Sequence, residues 1–189
     1  ILRERKIASD LNDFAILYRT NAQSRAIEEA IIQEGWPYKM VGALKFYDRR
    51  EIKDIISYLR FIQNGKDLLS LKRIINTPPR GIGRASWDKI SSASDLTKIC
   101  HPKVSAFLDL VSEFKNVLHE KKTSDFIKYI IEKINYKEYT LDGTDEGEAR
   151  WENIQELITV ASKFDNFNSQ EGLSGFLEEI ALASATDDI

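Results

Sequence analysis

The stretch Thr77-Pro78-Pro79-Arg80-Gly81-Ile82-Gly83-Arg84 holds a dense set of groups able to meet an anion. Two glycines one residue apart let a backbone come close to a phosphate, and the amides of Ile82, Gly83 and Arg84 would then point at it. Arg80 and Arg84 flank the bend and add charge. Contacts of this kind hold a duplex by its backbone without reading its bases. The same residues also fit a plain turn between two helices. A second set is Arg19 and Asn21, where an apolar run gives way to a helical pattern. At the carboxyl end of a strand, free helix amides and a forked guanidinium make a phosphate site. Asn21 equally fits a helix cap and Arg19 a partner for a nearby acid. A third set, Lys45-Phe46-Tyr47-Asp48-Arg49-Arg50, interleaves cations with aromatics, as single-strand binders do. Phe46 and Tyr47 are expected to pack inward, which leaves Lys45 as the contact.

Other chemistries lack their residues. The chain has no Gly-x-x-x-x-Gly-Lys-Ser/Thr loop to cradle nucleotide phosphates. Cys100, His101 and His119 match no metal-ligand spacing. No Ser-His-Asp order can be argued, and the acid pairs Glu178-Glu179 and Asp187-Asp188 read as solvated surface. No catalytic residue is assigned. The lone cysteine excludes an internal disulfide and fits a reducing cytosol. The first residues carry charges rather than the apolar stretch of a signal peptide, and the missing initial Met suggests an excised piece.

The elements that must position these groups follow from periodicity. Residues 13–19 read as a buried strand, residues 38–41 as a second, and a helix between them carries Ala26, Ile27, Ala30 and Ile31 on one stripe. Asn21 is expected to cap that helix and Gly35 to stop it. From Lys45 onward the pattern is helical. Asp48 and Glu51 form a capping-box pattern opening a helix with Ile52, Ile55, Ile56, Leu59 and Ile62 on one face. A helix over about 68–76 is stopped by the two prolines, and a short one restarts near Arg84. Residues 91–103 are expected to be loop. Apolar spacing then marks helices from Val104 to Leu118, Phe126 to Ile134, Trp151 to Phe164 and Leu173 to Ala181. Thr123 or Ser124 would cap the second of these, and residues 141–148 would form an acidic loop before the third. The fold class is mainly α, a helical bundle preceded by a short β-α-β fragment.

Of 189 residues, 42% are hydrophobic and 30% charged, an ordinary globular balance. The net charge of −3 hides an asymmetry: residues 1–90 carry 17 Lys and Arg against 11 Asp and Glu, and residues 91–189 carry 10 against 19. A basic first half can attract phosphates, whereas the acidic second half suits a protein partner better.

Four ordered segments resemble the UvrD/PcrA/Rep helicases of superfamily 1. They are Asp13-Phe14-Ala15-Ile16-Leu17-Tyr18-Arg19-Thr20-Asn21-Ala22-Gln23-Ser24-Arg25; Val41 to Asp54 with Tyr58-Leu59-Arg60; Asn76 to Gly83; and Arg150-Trp151-Glu152-Asn153-Ile154-Gln155-Glu156-Leu157. Ala43 stands where the resemblance leads one to expect a second glycine, and residues 91–140 match only in helical character. The resemblance implies that residues 1–43 begin the second RecA-like motor domain (2A). Residues 44–178 would be its mobile helical insertion (2B-like), and residues 179–189 would return to the motor. It implies a parent enzyme that uses ATP and Mg²⁺ to move 3′ to 5′ along single-stranded DNA and open duplexes. The ATP loop would lie outside this stretch, so the stretch alone should be inactive and need no cofactor. By position, Arg19, Asn21 and Lys45 match single-strand phosphate contacts. Gly81 and Gly83, with Thr77 and Arg80 around them, match a turn that grips duplex phosphates. The implied partners are single-stranded DNA, single-strand/duplex junctions, the remaining helicase domains and a regulatory protein docking on the insertion, in a bacterial-type cytoplasm and away from membranes.

Overall fold

The computed structural model describes residues 11–20, 23–42, 44–83, 86–88, 90 and 101–185. Eight α-helices organise them: α1 (Ser24–Gln33), α2 (Arg50–Gln63), α3 (Leu68–Ile74), α4 (Pro102–Leu118), α5 (Thr123–Lys133), α6 (Tyr136–Thr140), α7 (Asp145–Ala161) and α8 (Ser169–Ala185).

Helix α2 is the hub. Its apolar stripe was legible in the sequence, but the structure buries it nearly all round: Ile52, Ile55, Tyr58 and Leu59 are wholly enclosed, and Glu51, Asp54 and Ser57 are buried with them. A helix apolar on one face alone would sit at the surface; one enclosed on all sides needs partners for its polar residues. Helices α3, α4, α7 and α8 pack around it. Asp54 accepts from the Tyr136 hydroxyl at 2.7 Å and from Arg73 Nε at 2.6 Å, so α2, α3 and α6 share one buried carboxylate. On α4, Val104, Phe107, Val111, Phe114 and Leu118 turn inward at helical spacing, with the Phe107 ring 6.4 Å from Phe61 and nearly parallel to it. The inward rows of α5, α7 and α8 complete one continuous core.

Four helix starts differ from the sequence reading; that of α1 has Gln23, not Asn21, at its N-cap position and no side-chain cap there. Helix α2 begins at Arg50 behind Arg49, not at an Asp48 cap; Asp48 ends a 3₁₀ turn over Phe46–Asp48 and pairs with Lys53 at 2.6 Å. A pairing partner within reach draws the carboxylate away from the amides. Helix α5 is capped from a distance: Asp165 accepts from the Ser124 amide at 2.9 Å and the Ser124 hydroxyl at 2.6 Å, where Thr123 or Ser124 was expected to act alone. The acidic loop is shorter than expected, because the Thr144 hydroxyl caps α7 through the Gly147 amide at 3.0 Å and its first turn takes Asp145, Glu146 and Glu148. Acids there complement the helix dipole. Gly172 lets α8 close on the turn that follows α7; a Cβ at that position would stand 2.8 Å from the Phe164 carbonyl.

The expected β-α-β fragment is not seen; among the described residues there is no strand. Phe14, Ile16, Leu17, Val41 and Leu44 are exposed, Leu17 at 94%. A parallel strand holds only when neighbours take its amides and cover its faces. Between the two segments the Tyr18 hydroxyl reaches Met40 Sδ at 3.9 Å. Helix α1 is present, but it turns Ser24, Arg25 and Glu28 inward and leaves Ala26 and Ala30 of the expected apolar stripe exposed, so polar contacts tie it to the bundle. Buried Arg49 donates to Asn153 Oδ1 at 2.8 Å, Ser24 Oγ at 2.7 Å and the Leu44 carbonyl at 3.3 Å. Asn153 donates on to Glu51 at 2.6 Å, and Ser24 to Glu28 at 2.7 Å. Arg25 bridges to Glu156 of α7.

Candidate nucleic-acid interface

Asp67 starts the approach to the glycine turn. Its carboxylate caps α3 by accepting from the Leu69 amide at 3.1 Å and the Ser70 amide at 3.0 Å. After Ile74 the chain leaves the helix, and Asn76 organises the turn. Its side-chain oxygen accepts from the Arg80 amide at 2.7 Å and the Ile82 amide at 3.2 Å, closing the Thr77–Gly83 segment into a compact bend. Asparagine before a proline pair suits such a side-chain-to-backbone turn. The Thr77–Pro78 peptide is cis.

Beneath the bend lies Tyr58. Its hydroxyl donates to the Thr77 carbonyl at 2.6 Å and accepts from Arg80 Nη2 at 2.6 Å. Burial pushes the Tyr58 hydroxyl up to about 12 against a smaller opposing pull from Arg80, so it stays a donor. Arg80 Nη1 donates to the carbonyls of Ile74 at 2.9 Å and Thr77 at 3.2 Å, and the guanidinium lies 5.1 Å over the Phe107 ring. Arg80 therefore closes the carboxyl end of α3, where helix carbonyls lack amide partners. The sequence placed Arg80 at this turn but did not suggest that it folds underneath.

The amides divide. Ile82 is buried in the core and its amide is taken by Asn76. Gly81 and Gly83 are exposed, and their amides have no acceptor among the described residues. Gly81 holds φ +68, a left-handed conformation that favours glycine. The Gly83 carbonyl accepts from the amides of Ser86 and Trp87, both at 3.1 Å, opening the short helical turn expected nearby. Arg84 lies outside the described residues. Lys103, in the first turn of α4, carries no sequence signal of a role here, yet its Nζ donates to the Gly81 carbonyl at 3.4 Å. It falls 22 residues beyond the glycine, in a stretch read as loop, so no local pattern could have found it.

The remaining candidates sit elsewhere. Arg19 is exposed, and its guanidinium has no acidic partner among the described residues; its amide donates to Gln23 Oε1 at 3.0 Å. Asn21 lies outside the described residues. Lys45 is half-buried with its ammonium 5.4 Å from the centre of the Tyr38 ring, beside α1 and its acids Glu28 and Glu29. Phe46 packs inward as expected, edge-on to Tyr47. Among the described residues no cluster of His, Cys, Asp and Glu could hold a metal, and no helix is long and apolar enough to cross a membrane.

Comparison with known proteins decides the family. The model of the UvrD-like helicase C-terminal domain matches residues 1–189, the full length of the chain. The chain belongs to that family. This UvrD-like chain is 34% identical over 197 residues to the ATP-dependent DNA helicase PcrA of Bacillus subtilis, covering 95% of the chain and 27% of that protein. It is 34% identical over 208 residues to the ATP-dependent DNA helicase PcrA of Staphylococcus aureus, covering 100% of the chain and 28% of that protein. The UvrD-like chain thus spans about a quarter of the length of the curated relatives it matches.

Proposed function

We propose that this chain is the DNA-gripping part of an ATP-dependent 3′–5′ DNA helicase, holding nucleic acid by its phosphates during translocation and unwinding. Gly81 and Gly83 present free amides to duplex phosphate. Ile82 anchors the bend in the core, Thr77 and Arg80 hold its shape, and Arg84 adds charge at its edge. Arg19, Asn21 and Lys45 meet the single strand. Residues 1–43 belong to the second motor domain, 44–178 to the helical insertion, and 179–189 to the return. ATP and Mg²⁺ serve the parent enzyme in its other domains, in a bacterial cytoplasm. One observation carries this reading: two exposed glycine amides without acceptors among the described residues, on a bend fixed from below by Asn76, Tyr58 and Arg80. Rigid, unspent donors suit an acceptor-rich backbone, and such a grip is independent of base sequence.

A fluorescence anisotropy titration of the chain against a labelled single-strand/duplex junction tests it. Affinity should fall steeply as salt rises, because each phosphate contact releases counterions. Arg19→Ala should weaken binding to a single strand more than to a blunt duplex. Salt-independent or absent binding of the junction would remove the reading.

A second reading, a helical module that docks a regulatory protein, has its own support. Leu69 on α3 is 84% exposed beside the half-exposed Leu68, and adjacent apolar side chains open to water give a partner a place to bury them. Under that reading Leu69→Ser would abolish partner capture and leave junction affinity untouched.

A further inference from the structure

We propose that Lys103 is the cation that completes the duplex-phosphate site, an inference that rests on the phosphate-gripping reading of the glycine turn. Three observations bear on it. The Lys103 ammonium stands 3.4 Å from the Gly81 carbonyl and only 2.5 Å from the point that a Cβ on residue 81 would occupy. It therefore covers the bend on the side where residue 81 has no side chain.

Its charge is also unspent. Lys103 is exposed and has no carboxylate partner among the described residues, while the two glycine amides beside it lack acceptors. The first turn of α4 holds no acid, and Pro102 precedes Lys103 there. A cation in the first turn of a helix opposes the helix dipole and works against folding stability. An ammonium, two free amides and a helix amino end on one patch make a potential that an anion would relieve.

Finally, the arginine that the sequence offers for this task is occupied. Arg80 is folded under the turn on Tyr58 and the α3 carbonyls. Lys103 fills its place above the turn. A phosphodiester has two non-bridging oxygens, one for the glycine amides and one for the ammonium, and a lysine meets it as a movable point charge. The phosphate could come from a duplex or from a single strand; the position at the glycine bend assigns it to the duplex, and a pair of probes separates the two.

The test is anisotropy across a salt series with two labelled probes, a hairpin duplex with a short single-stranded tail and an oligothymidylate. The full chain is compared with Lys103→Gln and Lys103→Arg, and a far-UV melt checks that all three fold alike. Lys103→Gln should weaken hairpin binding about three- to tenfold at low salt and make the log–log salt slope shallower by about 1. Lys103→Arg should restore most of both, and oligothymidylate binding should stay within about twofold throughout. Unchanged hairpin affinity and slope in Lys103→Gln would overturn the assignment while leaving the glycine turn standing. Equal losses on both probes would overturn it as well, by showing a diffuse charge effect. A wild-type chain that binds neither probe would remove the turn reading and this assignment together.

Discussion

Arg80 Nη2 donates to the Tyr58 hydroxyl across 2.6 Å, and the same hydroxyl donates to the Thr77 carbonyl across 2.6 Å. Beneath the bend the two side chains thus close a circuit with its first residue. The circuit fixes the bend and consumes the guanidinium that the sequence offered to a phosphate. Arg80→Ala should therefore act first on stability, lowering it by about 2–3 kcal/mol as the α3 carbonyls lose a charged donor. Tyr58→Phe should cost about 1 kcal/mol by losing one hydroxyl. Urea titration measures both. An Arg80→Ala chain as stable as wild type but blind to duplex would show that the arginine meets DNA directly.

The two glycines should separate when each is changed to alanine. At Gly81 the left-handed backbone makes a Cβ costly, by about 1–2 kcal/mol, and Lys103 must move aside. At Gly83 nothing lies within 4 Å of a new Cβ, so stability should hold within about 0.5 kcal/mol. Duplex affinity should nonetheless drop in Gly83→Ala, because the methyl keeps a phosphate off the amide. Thermal melts paired with junction binding check this, and wild-type affinity in Gly83→Ala would count against backbone contact there.

Stability should show an acid limb owed partly to Asp67. Burial acts to raise its pKa, but bonds from the Ser70 hydroxyl and the Ser70 and Leu69 amides together outweigh it, so the folded value lies below the usual one. A depressed carboxylate contributes stability that is present above its unfolded value of about 3.9 and fades as pH falls through the folded value. Asp67→Asn keeps a capping oxygen without titrating. Wild type should lose more stability than Asp67→Asn between about pH 5 and pH 3, while Asp67→Ala should cost about 1 kcal/mol at neutral pH. Parallel pH profiles for wild type and Asp67→Asn would rule this out.

The Arg49 network should be far more sensitive than any surface ion pair. Arg49→Met would leave the buried Glu28 and Glu51 carboxylates without their cation, at a cost of about 3–5 kcal/mol. Lys128→Gln, which removes an exposed pair with Asp125, should cost under about 0.5 kcal/mol. Equal effects in urea titrations would contradict the burial argument.

The helices were legible because their apolar residues repeat at helical spacing. Val104 to Leu118 and Phe126 to Ile134 turned inward as read, and the prolines after Ile74 ended α3 on schedule. The strand reading at residues 13–19 failed for a reason periodicity cannot carry: an apolar run becomes a strand only when a neighbour pairs with it. The Asp165 cap of α5, the Lys103 contact with Gly81 and the Arg49 bond to Asn153 link residues far apart in the chain, and no local pattern encodes them. The glycine turn itself was legible. Which of its amides remain free was not, since that depends on where the Asn76 side chain goes.

The most direct test tracks the amide signals of Gly81, Ile82 and Gly83 by NMR as a short duplex is added. Gly81 and Gly83 should shift progressively with duplex, and Ile82, already bonded to Asn76, should shift much less. Saturable binding with both glycine signals unmoved would contradict the account.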